Sequence, residues 1–115
     1  MRRTSMFARL IGASAGVILA TTLLGSEAVD VKYRGIVDLR PFSCNSVTRS
    51  SFINRVCYDR QNEYMLISLN GIYYHYCEID SGTVEALMSA ESMGRYYNAA
   101  IKGRFDCRTH KIPNY

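Results

Sequence analysis

The side chains in this sequence that could do chemistry are four cysteines, two histidines and many tyrosines. The cysteines are Cys44, Cys57, Cys77 and Cys107. They are spaced too widely to form a Cys-x-x-Cys pair, which argues against a structural zinc site and against a thiol oxidoreductase. An even number of cysteines is typical of a disulfide framework when a small chain is exported. We therefore expect two disulfides, with all three pairings open.

The two histidines could share acid and base work, as they do in small secreted ribonucleases. However, His75 falls in a predicted strand and His110 in the predicted C-terminal tail, 106–115, so no feature of the sequence brings them together. The serines lack the context of a nucleophile elbow, and no glycine-rich phosphate loop or calcium loop is present. We predict no catalytic residues, no metal and no cofactor, and keep a small secreted hydrolase as an alternative.

The N-terminal segment 1–28 has the three parts of a secretory signal peptide. Three arginines lead the chain: Arg2, Arg3 and Arg9. An apolar run follows over 10–24, and the small residues Ser26 and Ala28 stand where a signal peptidase reads them. The run spans about 22 Å as a helix, less than the roughly 30 Å hydrocarbon core of a bilayer. We predict cleavage after Ala28, a periplasmic or secreted protein, and no stable membrane insertion once the leader is removed.

The charge balance is too weak to indicate a nucleic-acid partner by itself. The chain carries 14 basic and 10 acidic residues. The segment 1–28 holds three of the basic residues and one of the acidic residues. The remainder of the chain therefore has a net charge of only +2. Electrostatic binding to a polyanion needs basic groups concentrated on one surface. The chain, 115 residues long and 48% hydrophobic, has room for one globular domain.

A β-hairpin is the clearest predicted element. Asn70-Gly71 is the preferred pair for a two-residue turn because both central positions need positive φ, and strand-like segments flank it over 64–69 and 72–79. Residues whose numbers sum to 141 then face each other. The apolar face, which must be covered, gathers Met65, Ile67, Leu69, Ile72, Tyr74 and Tyr76. The mixed face, which we expect to be less deeply buried, gathers Tyr64, Leu66, Ser68, Tyr73, His75 and Cys77.

The remaining segments predict strands before the hairpin and helices after it. An N-terminal extension, 29–49, allows one short strand over 36–39 and a connecting loop after Pro41, and 52–58 reads as a strand. Helix caps at Asp80 and Ser92 precede apolar residues at helical spacing, and Gly103 ends the second helix. The predicted fold class is α+β, an antiparallel β-meander of three to four strands with two short C-terminal helices packed on the apolar face.

A set of residues over 50–105 has an order and spacing more specific than any one of them. Its members are Ser50, Ser51, Ile53, Tyr58, Asp59, Gly71, Tyr74, His75, Tyr76, Ala90, Ser92, Gly94, Tyr97, Asn98 and Ile101. This stretch resembles the KTSC domain, a module named after the C-terminus of some lysyl-tRNA synthetases and also found as a stand-alone bacterial protein. The resemblance implies a family motif at Tyr74, Tyr76, Ser92, Gly94 and Asn98. The family has no established activity, and its attachment to a synthetase suggests RNA binding.

Two groups of residues are candidates for binding. An aromatic row on the mixed face could stack sugars or single-stranded bases, unless the extension pinned by Cys44 covers it; the row is Tyr64, Tyr73 and His75. A basic set near the C-terminus could hold a polyanion or be a solvated helix face; it is Arg95, Lys102, Arg104 and Arg108. The register turns Tyr74 and Tyr76 toward the core. We expect a non-catalytic binding module for an envelope protein or a glycan, with RNA binding by the basic set as the alternative.

Overall fold

A computed structural model describes residues 27–115 of the chain. The predicted signal peptide lies outside the described residues, apart from its last two. The strands are β1 Ala28–Val31, β2 Gly35–Asp38, β3 Ser43–Ser46, β4 Ile53–Asp59, β5 Tyr64–Leu69 and β6 Ile72–Tyr76. The helices are α1 Ser81–Ser89 and α2 Met93–Tyr96, and α2 continues as a π-helical turn over Tyr97–Ile101. No helix in this part of the chain has the length and apolar character needed to cross a bilayer.

The six strands form one sheet in the order β2-β1-β6-β5-β4-β3. The fold is α+β as predicted, but three to four antiparallel strands understate the sheet. The segment before Arg49 supplies the difference, because it adds β1 and β2 at one edge and β3 at the other. The sheet is mixed, since β1 runs parallel to β6 with Val31 opposite Tyr73.

Part of the loop predicted after Pro41 is the edge strand β3. Serine and asparagine have low strand propensity, so the local sequence gives no strand signal there. Cys44 of β3 lies directly opposite Cys57 of β4 and is bonded to it, which holds the segment against the sheet. The short strand expected over 36–39 is present as β2, one position earlier.

The hairpin of β5 and β6 has the predicted register. Asn70 and Gly71 have φ values of 50° and 86°, and Leu69 faces Ile72 across the turn. The apolar face is covered by both helices, as predicted, although Ile72 beside the turn is 46% exposed. The buried core between the sheet and the helices includes Ile53, Val56, Met65, Ile67, Tyr76, Val84, Leu87, Met93, Tyr97 and Ile101.

Both helices begin at the predicted caps. The Asp80 carboxylate accepts a hydrogen bond from the Thr83 N–H at 3.1 Å, and the Ser92 hydroxyl accepts one from the Arg95 N–H at 3.2 Å. Gly103 follows the second helix with a φ of 76°, which favours glycine. The Asp80 cap fixes the start of α1, and the Ser92 cap fixes the start of α2.

The mixed face of the sheet is a second core, so the prediction that it is less deeply buried is wrong. Tyr64 and Leu66 are fully buried on it. The side chains that cover them come from the extension, namely Val31, Val37 and Leu39, with Phe42 beside them. Residues 29–49 therefore cover this face, which is the alternative to an open aromatic row.

The segment 106–115 also lies against this second core. The Tyr115 hydroxyl donates a hydrogen bond to Oδ2 of the buried Asp59 at 2.6 Å, and the Arg34 guanidinium donates one to the Pro113 carbonyl at 2.7 Å. The Tyr115 ring packs against Tyr64 with 5.6 Å between centroids. The C-terminal residues are thus attached to the domain by side-chain contacts.

The two disulfides are Cys44–Cys57 and Cys77–Cys107. The first joins neighbouring strands, and the second fastens the C-terminal segment to the end of β6. Their sequence separations are 13 and 30, for which the chain-entropy model gives about 3 to 4 kcal/mol of stabilisation each. The expected number of disulfides is confirmed, and the structure selects one of the three pairings.

Candidate functional site

A cleft of about 520 Å³ opens at the outer edge of β6. It lies between the turn that follows β1 and the segment that follows the π-helical turn. Its walls are mostly aromatic and its rim is basic. The side chains that line it include Tyr33, Tyr74, Tyr97, Arg104, Phe105 and Arg108.

The cleft exists because the edge of β6 is covered only at its two ends. β1 pairs with β6 only at Tyr73, whose carbonyl accepts a hydrogen bond from the Lys32 N–H at 2.8 Å. The chain then turns away into β2. At the other end, the Cys77 N–H donates to the Phe105 carbonyl at 2.9 Å. The gap between these two bonds is the back of the cleft, and His75 lies in its middle.

Two buried tyrosines join the sheet to the helical layer beside this gap. The phenolic oxygens of Tyr76 and Tyr97 lie 2.6 Å apart, and their rings meet edge to face at 88°. Burial, together with the hydrogen bond that the Tyr76 hydroxyl makes to Tyr97, raises the pKa of Tyr76 far above its ordinary value. The Tyr76 hydroxyl therefore stays protonated and uncharged.

The mouth of the cleft is formed by an exposed tyrosine in the turn after β1. Tyr33 has a φ of 71° and its side chain is 83% exposed. The ammonium group of Lys32 lies 5.5 Å from the centroid of the Tyr33 ring and 5.8 Å from that of Tyr74, within cation–π range of both. A positive charge is therefore held close to two of the tyrosines that line the cleft.

The basic rim contains one paired and one unpaired guanidinium. Arg108 contacts the Asp106 carboxylate at 2.7 Å and donates hydrogen bonds to both of its oxygens. These hydrogen bonds lower the pKa of Asp106 to about 2. Within residues 27–115, Arg104 makes no ion pair with any carboxylate. It is exposed and available to an anion from outside the chain.

The predicted aromatic row is not an open surface. Tyr64 is fully buried, and its hydroxyl lies 2.8 Å from Nδ1 of His75. Desolvation and the nearby Arg34 lower the pKa of His75, whereas Asp106 raises it. Tyr73 is half-buried, and its hydroxyl accepts a hydrogen bond from Arg55 at 3.3 Å.

The predicted basic set is divided between two places. Arg104 and Arg108 line the cleft. Arg95 lines a separate recess of about 360 Å³ beside α2. Lys102 is exposed and lines neither.

The family-motif residues Ser92, Gly94 and Asn98 lie together at this second recess. Two of them have a clear packing role. Ser92 caps α2, and a Cβ on Gly94 would come within 2.7 Å of Cε1 in the Phe52 ring. Ser92 therefore fixes the start of α2, and Gly94 allows α2 to approach Phe52, the residue before β4.

The two histidines have separate hydrogen-bonding environments. His75 contacts Tyr64, whereas Nδ1 of His110 lies 2.7 Å from the Asp106 carbonyl oxygen, and its Nε2 lies 3.7 Å from Glu78. In the part of the chain that the structure describes, no group of three His, Cys, Asp or Glu side chains could hold a metal ion.

The sequence reasoning did not identify Tyr33 or Phe105 as site residues. Tyr33 stands in a Lys-Tyr-Arg-Gly turn, where an aromatic residue two positions before a glycine was a usable signal for an exposed ring. Phe105 gives no such signal, because it reaches the cleft only through the disulfide at Cys107 and the hydrogen bond to Cys77.

Comparisons with known proteins agree on one family. Residues 49–105 match the family model described as the KTSC domain. The fold is similar to the crystal structure of a KTSC domain protein from Yersinia pestis, with 30% sequence identity and a TM-score of 0.53. That match covers 56% of this chain and 92% of the other. Among curated proteins, none matches the chain.

Proposed function

The chain belongs to the KTSC domain family, and we propose that it is an exported, non-catalytic interaction module that binds a segment of another exported protein. The observation that carries this proposal is the aromatic cleft at the edge of β6. Clefts of a few hundred Å³ with aromatic walls and a few polar groups are typical of binding sites. The exposed ring of Tyr33 at the mouth is apolar surface that a partner would remove from water.

Export is supported by the cysteines and by the N-terminal pattern. All four cysteines of the chain are paired in two disulfides, which persist outside the reducing cytoplasm. The segment 1–28 has a basic start, an apolar run and small residues at the cleavage positions.

Binding rather than catalysis is supported by the protonation states of Tyr76 and Asp106, which line the cleft. General acid and base catalysis works best with a pKa near the ambient pH. Here the pKa of Tyr76 is raised by burial, and that of Asp106 is held at about 2 by Arg108. One group stays protonated and the other stays ionised, so neither is suited to exchange protons near neutral pH.

The proposal is tested by selecting heptapeptides from a randomised library on the full-length, oxidised protein. Selected peptides should bind at least about tenfold more weakly to Tyr33→Ala, because the variant loses an aromatic wall of the cleft. The matched control is Ile36→Ala, which removes a side chain that is 72% exposed on β2 and outside the cleft.

The outcomes separate the candidate partners. Selection of no peptide, or equal binding to wild type and Tyr33→Ala, would overturn the proposal. If chitotetraose instead moves the amide NMR signals of Gly103 and Phe105, the partner is a glycan. Release of cleaved products from RNA or peptidoglycan fragments would replace binding by hydrolysis.

RNA binding by the basic set is the second candidate function. It is favoured by the exposure of Arg95, Lys102 and Arg104, none of which forms an ion pair within residues 27–115. RNA affinity should then fall steeply with salt, since cation–phosphate contacts release counterions. Absence of RNA binding at low ionic strength would exclude it.

A further inference from the structure

We propose that the cleft takes its partner as a short, extended, acidic peptide that adds to the edge of β6 by pairing with the main chain of His75. This inference rests on the proposed function and specifies how the partner is recognised.

Alternate residues of β6 direct their main-chain groups toward the cleft. In a hairpin closed by a two-residue turn, the flanking residues form a hydrogen-bonded pair, and such pairs recur at every second position. Ile72, Tyr74 and Tyr76 therefore direct their N–H and C=O groups toward β5. Tyr73, His75 and Cys77 direct theirs outward. The hydrogen bonds that Tyr73 and Cys77 make with Lys32 and Phe105 agree with this assignment.

Among these three outward-facing residues, His75 alone has both its N–H and its C=O free. The Tyr73 carbonyl is bonded to Lys32, and the Cys77 N–H is bonded to Phe105. In the described part of the chain, neither the N–H nor the C=O of His75 has a hydrogen-bonding partner. Unpaired groups on a strand edge are a template for another strand. The edge of β6 thus offers one donor and one acceptor, side by side, inside an aromatic cleft.

The segments at the two ends of the gap limit the length of the occupant. A residue in extended conformation presents its own N–H and C=O to the same side, so one peptide residue can pair with both groups of His75. The positions on either side are occupied by Lys32 and Phe105. A long strand would meet these segments, whereas a short one can leave the sheet before and after the paired residue. Main-chain pairing of this kind is the mode called β-augmentation.

A positively charged side chain lies at each end of the gap. Lys32 lies at the Tyr73 end of the gap, and Arg104 lies at the Phe105 end. Both are exposed, and Asp106, which is the only carboxylate from residues 27–115 that lines the cleft, is paired with Arg108. A peptide lying along the gap therefore meets a cation on each side of the residue paired with His75. Carboxylates on both sides of that residue complement this arrangement.

The experiment uses peptides from the heptapeptide selection that depend on Tyr33. They should be enriched in Asp and Glu. N-methylation of one internal residue should weaken binding at least about tenfold, because it removes the N–H that pairs with the His75 carbonyl, while N-methylation at the ends has little effect. Peptide binding should also move the His75 amide proton signal downfield.

Charge recognition is tested with Lys32→Gln combined with Arg104→Gln. This variant should remove the preference for acidic over neutral peptides, whereas the control Arg95→Gln should keep it. If Tyr33-dependent peptides are selected but are not acidic, or tolerate N-methylation at every position, the inference is wrong and the proposed function stands. If no Tyr33-dependent peptide is selected, the proposed function itself fails.

Discussion

The hydroxyl groups of Tyr76 on β6 and Tyr97 at the start of the π-helical turn lie 2.6 Å apart in the core. Each hydroxyl gives the other a polar partner in a largely buried region, which removes most of the cost of burying it. Both residues belong to the pattern through which the sequence resembles its family. The hydrogen bond ties the central strand to the helical layer, and it also sets the side of the cleft that these two residues line.

Replacing one tyrosine of this pair should lower the free energy of unfolding more than replacing both. Tyr97→Phe leaves the buried Tyr76 hydroxyl without its partner, which should lower the free energy of unfolding by about 1 to 3 kcal/mol. The double variant with Tyr76→Phe should recover part of that loss, because no unpaired hydroxyl remains. Denaturant unfolding measures both, with Tyr96→Phe as the control. Additive effects of the two substitutions would contradict the prediction.

The sequence predicted the central hairpin because its information is local. Asn70-Gly71 determines the turn, and the period-two pattern on both sides determines the register. The edges of the sheet could not be predicted in this way. β3 depends on the bond between Cys44 and Cys57, and β1 pairs in parallel with β6, which is distant in sequence. Both are set by tertiary contacts that leave no pattern in their own segments.

The cleft was missed for the same reason. Its tyrosines on β6 were predicted to face the core, and the sequence gives no sign that the middle of the β6 edge is left uncovered. That gap depends on the turn at Tyr33 and on Phe105, which the Cys77–Cys107 disulfide brings to the end of the strand. The sequence therefore predicted the sheet face of these residues but could not predict the open edge.

Removing the second disulfide should affect the cleft as well as stability. The pair Cys77→Ser and Cys107→Ser should lower the free energy of unfolding by about 3 kcal/mol and raise hydrogen exchange at Phe105, because the segment behind it loses its anchor. Removing Cys44 and Cys57 instead is the control, and it should leave exchange at Phe105 unchanged. Equal exchange in the two variants would disprove the anchoring role.

The partly buried imidazole of His75 predicts a pH dependence of stability. Desolvation and Arg34 lower the pKa of His75 below its ordinary value of 6.5, so the unfolded chain binds a proton that the folded chain excludes. The contribution of neutral His75 to the free energy of unfolding should be fully present above pH 6.5 and should fall as the pH drops below that value. Unfolding curves between pH 5 and 8 should show this slope. His75→Gln should reduce the slope and His110→Gln should retain it, whereas an unchanged slope in His75→Gln would refute the assignment.

A methyl group at the family-motif glycine should disturb the contact between α2 and β4. In Gly94→Ala the new Cβ would lie 2.7 Å from Cε1 of Phe52, so the ring must move, which should cost about 1 to 3 kcal/mol. Adding Phe52→Leu should relieve the clash and reduce this cost. Gly82→Ala is the control, because its Cβ would approach only the exposed Asp80 carboxylate, at 3.1 Å. Thermal unfolding of the four proteins compares the costs, and an unchanged midpoint for Gly94→Ala would show that the ring yields freely.

Cleavage of the predicted leader after Ala28 should be compatible with the fold, even though it removes Glu27 and Ala28, the first residue of β1. That residue pairs with Arg55 at 2.7 Å, and its carbonyl accepts a hydrogen bond from Leu39. The carboxylate is half-exposed, so the ion pair contributes at most about 1 kcal/mol, and the hydrogen bond contributes about as much. A protein beginning at Val29 should therefore be within about 2 kcal/mol of one beginning at Glu27. Mass spectrometry of the exported protein should find Val29 at its N-terminus; a start at or before Glu27 would place the cleavage earlier and keep the contact with Arg55.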